Sequence, residues 1–167
     1  MKRIIGAFLF LVLWTMGIIS LCGKYSAPRV YFTPGPDCET NIIHEINRAT
    51  RIDIAVYSIT NKNISRAIIS AHNRGAHVRI ISDRTMAGGR GSQIATFRNA
   101  GIHVITNTHH KIMHNKFAIF DGRRVVTGSY NWTINATDSN AENCVFIPDP
   151  AKTFAAGFDY LWNLYSE

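Results

Sequence analysis

The sequence predicts an α/β domain: a mixed β-sheet flanked by helices on both faces, behind an N-terminal hydrophobic segment. Three observations carry this. Short apolar runs alternate with amphipathic stretches of about ten to fifteen residues, as strands and helices do in layered α/β folds. Two neighbouring apolar runs are joined by an Asp121-Gly122 turn, which sends the chain back on itself. The chain has 167 residues, 46% hydrophobic and 17% charged, which suits one ordinary domain with a normal core.

The elements follow in order. Residues 29–33 read as a first strand, ended by Pro34-Gly35-Pro36. Asp37 caps a helix whose Ile42, Ile43, Ile46 and Ala49 share one face. Residues 51–59 alternate and then run apolar, as a half- to fully buried strand does. Asn61 opens a second helix with Ile64, Ala67, Ile68 and Ala71 on its buried face, stopping at Gly75. A strand at 77–82 precedes a Gly-rich loop at 84–91, a short helix at 92–100 closed by Gly101, and a strand at 102–106. A His-rich loop at 107–113 leads to strands at 116–120 and 124–127, and a further strand covers 143–147. Asp149-Pro150 opens a final helix that buries Phe154, Phe158, Leu161, Trp162 and Tyr165. No internal repeat is visible.

Lys2 and Arg3 precede an uncharged apolar tract at 4–23, which has the pattern of an export signal and is also long enough to span a bilayer. Residues 1–23 are therefore expected to be a cleaved signal peptide or an uncleaved membrane anchor, with 24–167 as the folded domain. In either case the domain is exported: periplasmic, secreted, or anchored with its body outside the cytoplasm. Beyond Cys22, the cysteines are Cys38 and Cys144, which can form one disulfide or remain two separate buried thiols. No cysteine pair has zinc-finger spacing.

The net charge is +7, and thirteen of the eighteen Lys and Arg fall between Arg48 and Arg124, against three acids in that stretch. A basic body fits a polyanionic partner, either nucleic acid or an anionic membrane surface, although a solvated basic face would look the same.

The chemistry is concentrated between His114 and Asn131. In a strand, His114 and Lys116 face the same side. The turn at Asp121-Gly122 returns the chain so that Gly128, Ser129 and Asn131 arrive near them. An imidazole, an ammonium, a hydroxyl and an amide then converge without a metal-ligand set. That grouping suits phosphoryl transfer. Lys116 neutralises an anionic diester, Ser129 and Asn131 donate to its oxygens, and neutral His114 attacks phosphorus. Gly128 lets the backbone come close. His109 and His110 have no carboxylate or cysteine nearby at ligand spacing, so neither a metal nor any other cofactor is expected. Arg90, Lys111 and Arg123 are candidate substrate contacts, with Arg84, Arg98 and Arg124 as further cations. Tyr57, Tyr130 and Trp132 can stack bases or pack in the core.

The stretch resembles the phospholipase D superfamily motif: His-x-Lys, four residues, Asp, six residues, Gly-Ser/Thr-x-Asn. His114, Lys116, Asp121, Gly128, Ser129 and Asn131 match every position. The likeness extends over about 30–165, including Gly91-Ser92-Gln93-Ile94 and Asn140-Ala141-Glu142-Asn143. It is greatest to the small single-motif members, the bacterial exported nucleases and the mitochondrial membrane-anchored proteins linked to cardiolipin hydrolysis or RNA processing. A zinc-finger insertion found in some mitochondrial members is missing, which favours the bacterial branch. The resemblance implies the phospholipase D/nuclease-like fold and a phosphohistidine formed on His114. It further implies a homodimer that brings a second His114 across a two-fold axis. Glu142 matches the carboxylate that orients the nucleophilic imidazole, and Asp121 is expected to hold the turn or a neighbouring base.

The leading function is therefore a metal-independent phosphodiesterase, an endonuclease on DNA or RNA. The alternative is a phospholipase D acting on phosphatidylcholine or cardiolipin, held at the membrane through residues 4–23. A non-catalytic nucleic-acid-binding module is a third class, against which the intact motif argues.

Overall fold

The computed structural model describes residues 27–148 and 151–167. The tract at 4–23, Cys22 and the Asp149-Pro150 helix opening lie outside the described residues. In chain order the elements are β1 (Arg29–Phe32), α1 (Asp37–Arg48), β2 (Arg51–Val56), α2 (Lys62–Asn73), β3 (His77–Ser82), α3 (Arg84–Ala87) and α4 (Ile94–Asn99). They continue with β4 (His103–Thr106), β5 (Lys116–Phe120), β6 (Arg124–Gly128), α5 (Ile134–Asp138), β7 (Asn143–Pro148) and α6 (Ala151–Ser166).

One seven-stranded sheet runs β1-β7-β6-β5-β2-β3-β4. β2, β3 and β4 are parallel, and every other pairing is antiparallel. The sheet is mixed, as expected, because β2 and β3 are joined through a helix whereas β5 and β6 are joined by a tight turn. Alternation along β2 divides the core. Ile52, Ile54 and Val56 pack with Ile42 and Ile46 of α1 and Ile64 and Ile68 of α2. Ala55 faces the other way and joins Ile81, Phe117, Ile119 and Val125 beneath Phe158 and Tyr165 of α6. Asn61 caps α2, its side chain accepting from the Asn63 and Ile64 amides at 2.8 and 3.2 Å.

Two short helices lie where the sequence predicted none. The Gly-rich stretch begins with α3, because Asp83 accepts from the Thr85 and Met86 amides at 2.9 and 3.2 Å. Thr133 caps α5 in the same way, its hydroxyl accepting from the Ala136 amide at 3.1 Å. Neither is long enough to show a helical period.

Cys38 and Cys144 are paired in a disulfide, with Cα atoms 5.9 Å apart, which ties the first turn of α1 to β7. It closes a loop between positions 106 residues apart, and cross-linking so long a loop removes much unfolded-state entropy. Replacing both cysteines by alanine should lower unfolding stability by about 2–4 kcal/mol, read as a fall in the denaturant midpoint relative to the oxidised wild type, a difference that should shrink when the wild type is reduced. An unchanged midpoint relative to the oxidised wild type would remove the bond from the account of stability.

Candidate active site

The ends of β2, β5 and β6 and the loops that follow β2 and β6 meet at one end of the sheet. The β5–β6 hairpin supplies most of the chemistry, with Phe117 opposite Thr127 and Phe120 opposite Arg124. Its three-residue loop turns on Asp121-Gly122, with φ of 53° and 62°, and the Arg123 amide donates to the Phe120 carbonyl at 3.1 Å; left-handed φ at both central residues is what a primed hairpin turn requires. The hairpin therefore opens at the end that carries Lys116 and Gly128.

Lys116 is buried, 9% exposed, whereas His114 is exposed. The Lys116 ammonium donates to the His114 carbonyl at 2.8 Å and lies 5.1 Å from the centre of the Tyr57 ring. Burial pushes it below the ordinary lysine value, and the negative charge of Glu142 offsets part of that. The His114 imidazole meets the same Tyr57 ring, with centroids 4.6 Å apart and planes at 61°. Tyr57 reaches both because β2 runs one residue beyond its last paired strand position: the Tyr57 amide donates to the Asn115 carbonyl at 2.8 Å.

The returning segment is laced to the residues after β2. The Trp132 amide donates to the Ser58 carbonyl, and the Thr60 and Asn61 amides donate to the Trp132 carbonyl. This places Asn131 beside the start of β5. Its side-chain oxygen is buried with no hydrogen-bond partner among the described residues, an unmet acceptor. Ser129 is less free, since its hydroxyl accepts from the Asn143 amide at 3.1 Å. At Gly128 the backbone has φ of 146°, and a β-carbon there would run into the Asn143 carbonyl oxygen. Tyr130 and Trp132 are core residues, each 2% exposed, so their rings serve packing and are closed to base stacking.

Glu142 is held first through its backbone. Its amide donates to the Thr33 hydroxyl at 2.9 Å and its carbonyl accepts from the Thr33 amide at 3.0 Å, which fixes its backbone at the β1 edge. The carboxylate accepts from Asn140 at 3.2 Å and faces Lys116, and no hydrogen bond joins it to His114 among the described residues.

Asp121 lies at the opposite end of the hairpin. It accepts from the Thr50 amide at 2.8 Å, the Thr50 hydroxyl at 3.0 Å, the Arg51 amide at 3.1 Å and Arg124 at 3.0 Å. Burial works against its charge, but these bonds outweigh that and hold it below the usual carboxylate range. Arg123, expected as a substrate contact, sits in this same turn, a strand's length from Lys116. The hairpin reversal that gathers the motif carries Arg123 away from it. Arg124 is also removed from any substrate path, paired with Glu45 at 2.6 Å. Arg90 precedes Gly91, which lies beside Thr60, and Lys111 belongs to the loop that leads into His114.

That loop is held by buried groups the sequence reading passed over. Asp83 and Asn107 are 3% and 2% exposed. Asp83 accepts from the Met113 amide at 3.1 Å, one residue before His114. Asn107 donates to the His110 carbonyl at 2.9 Å and accepts from the Arg84 amide at 2.7 Å. His110 is hydrogen-bonded to Tyr165 of α6 at 2.6 Å. Among the described residues, no three His, Cys, Asp or Glu side chains are grouped to hold a metal ion.

Residues 42–162 match the family described as cardiolipin synthase, PLD-like domain. The chain belongs to the phospholipase D superfamily. A mitochondrial cardiolipin hydrolase of Chlamydomonas reinhardtii is 42% identical over 133 residues, 78% of this chain and 60% of that protein. A phospholipase D of Rickettsia prowazekii is 37% identical over 119 residues, 71% of this chain and 58% of that protein. This chain thus spans about three fifths of the length of these curated relatives, whose names are those of phosphodiester hydrolases. Among solved structures, the phospholipase D family member Nuc from Salmonella typhimurium superposes with a TM-score of 0.74 at 31% identity, over 83% of this chain and 96% of Nuc. The fold of that structure and the motif around the β5–β6 hairpin are therefore present in one chain.

Proposed function

We propose that this phospholipase D-type chain is a metal-independent phosphodiesterase that works through a phosphohistidine on His114, with DNA or RNA as its substrate. The observation that carries this is the pairing of an exposed imidazole with a buried, desolvated ammonium at one end of the β5–β6 hairpin. A ring nitrogen of His114 attacks phosphorus and the bond to the leaving oxygen breaks. That oxygen takes a proton from a second imidazole. Water then attacks the phosphohistidine, gives its proton to the same imidazole and frees His114. Lys116 and Asn131 hold the non-bridging oxygens, and low-dielectric burial makes the ammonium's charge count for more there than in water. One motif per chain supports a homodimer, since a two-fold axis through the site supplies the second His114. Glu142 supplies negative charge beside Lys116, and it would orient His114 if it exchanged Asn140 for the imidazole.

The net charge of +7 supports nucleic acid as the polyanion, with Arg84, Arg90 and Lys111 on the loops around His114. One feature favours a phosphatidyl lipid as the second reading. A cavity of about 270 Å³ lies between the hairpin and α6, lined by Asn115, Phe117, Thr127, Phe154 and Leu161 among others. Membrane attachment through residues 4–23, with the domain exported, is compatible with either substrate.

Hydrolysis of single-stranded DNA, RNA and phosphatidylcholine vesicles should be measured side by side, with and without excess EDTA. The expected result is cleavage of nucleic acid at an unchanged rate in chelator, because the cations of the site are side chains. Loss of activity in EDTA that a divalent ion restores would refute the mechanism. Ready lipid hydrolysis with nucleic acids left intact at low salt would transfer the assignment to phospholipase.

A further inference from the structure

We infer that Tyr57 is a positioning residue, whose ring seats the His114 imidazole for attack and holds the Lys116 ammonium in register with it. This rests on the reading of His114 as nucleophile. The inference begins with what does not hold His114. Its side chain is exposed, and the carboxylate expected to orient it is hydrogen-bonded to Asn140 at 3.2 Å. An exposed imidazole with no such bond would be free to change rotamer, and misplacing a reacting atom by about 1 Å costs on the order of a hundredfold in rate.

The aromatic contact at 4.6 Å and 61° to Tyr57 takes the place of that bond. Edge-to-face contact has a preferred geometry, because the positive edge of one ring seeks the negative face of the other. The same ring stands 5.1 Å from the Lys116 ammonium, within the range in which a cation is drawn to an aromatic face. One side chain therefore touches both the imidazole that attacks and the cation beside it.

The ring can act as a fixed wall because its backbone is fixed. The Tyr57 amide donates at 2.8 Å to the carbonyl of Asn115, the residue between His114 and Lys116. The Tyr57 carbonyl accepts at 3.4 Å from Ser82, itself 1% exposed. Any shift of the His114–Lys116 strand relative to β2 would break the first of these. No hydrogen bond to the Tyr57 hydroxyl occurs among the described residues, so the ring is the part that acts.

The test uses the full chain and bis(p-nitrophenyl) phosphate, a small diester that needs no extended groove. Tyr57→Phe keeps the ring and should stay within about twofold of wild type. Tyr57→Leu should lower kcat by tenfold or more with KM within about threefold, and should slow the first release of p-nitrophenol in rapid mixing. Melting curves set the assay temperature below unfolding for every variant. Should Tyr57→Leu be unfolded there, Tyr57→Met is measured against the same expectation. A residue that served stability alone would lower the melting temperature and leave kcat per folded molecule unchanged. That outcome, or a Tyr57→Phe variant as impaired as Tyr57→Leu, overturns the inference. Failure of the underlying reading shows separately, as retained hydrolysis in His114→Ala.

Discussion

His114→Ala should abolish turnover, lowering kcat by at least about ten-thousand-fold, as loss of a covalent nucleophile does in other hydrolases. Binding of single-stranded DNA should change by less than about threefold, because Lys116, Arg90 and Lys111 remain in place and phosphate contacts dominate such affinity. The exposed position of His114 makes this separation clean: removing the imidazole empties no core site. Wild type quenched in alkaline denaturant should carry the radiolabelled phosphoryl group of the diester on histidine, and the variant none. In mixed dimers with a single His114, activity should fall far below half, because attack and protonation each need one imidazole. A variant that hydrolysed at near-normal rates would place the nucleophile elsewhere, and a fully active monomer would end the two-fold arrangement.

Gly128→Ala should damage both stability and activity without touching a reacting group. The backbone there has φ of 146°, a conformation that side chains rarely adopt, and the new methyl would meet both the Asn143 carbonyl and, at 2.8 Å, the Asn143 side-chain oxygen. Relief requires β6 and β7 to part, and Ser129 is bonded to the Asn143 amide at that point. Stability should fall by about 2–4 kcal/mol, and kcat by at least tenfold as Ser129 and Asn131 are re-aimed. Gly157→Ala in α6 is the control. A β-carbon there has nothing within 4 Å, and alanine is the better helix former by about 1 kcal/mol. Equal losses in the two variants would show that the close approach at Gly128 is not what shapes the site.

The fold was legible where a period was long or a turn was chemically marked. α1 and α2 each run twelve residues, enough for an apolar face to repeat, and Asp121-Gly122 names its own turn type. α3 and α5, of four and five residues, repeat nothing and were passed over, although Asp83 and Thr133 are ordinary caps. The disulfide was undecidable from spacing because Cys38 and Cys144 are brought together only when β1 pairs with β7. In the site, the two halves of the motif predicted their own meeting. Arg123 is near the motif along the chain but sits at the far end of the hairpin, because the strands run between it and Lys116. Glu142 was assigned a partner, and the backbone tie to Thr33 together with the bond from Asn140 gives its carboxylate another. Tyr57, Asp83 and Asn107 carry no motif; only their burial and bonds single them out.

The ladder of the hairpin gives the motif's spacing a mechanical meaning. Phe117 stands opposite Thr127, so one step further Lys116 comes level with Gly128, and the number of residues between them is a length standard. Asp121 calibrates it by clamping the turn to Thr50 and Arg51 on the neighbouring strand. Side chains in a strand change face at every residue. A single insertion or deletion between Lys116 and Gly128 would therefore send one half of the motif to the wrong side of the sheet, with every residue type of the motif still present. Tolerance to length change should be lowest in this eleven-residue interval between Phe117 and Thr127, inclusive, and a library of one-residue insertions along the chain would chart it as a gap in recovered activity.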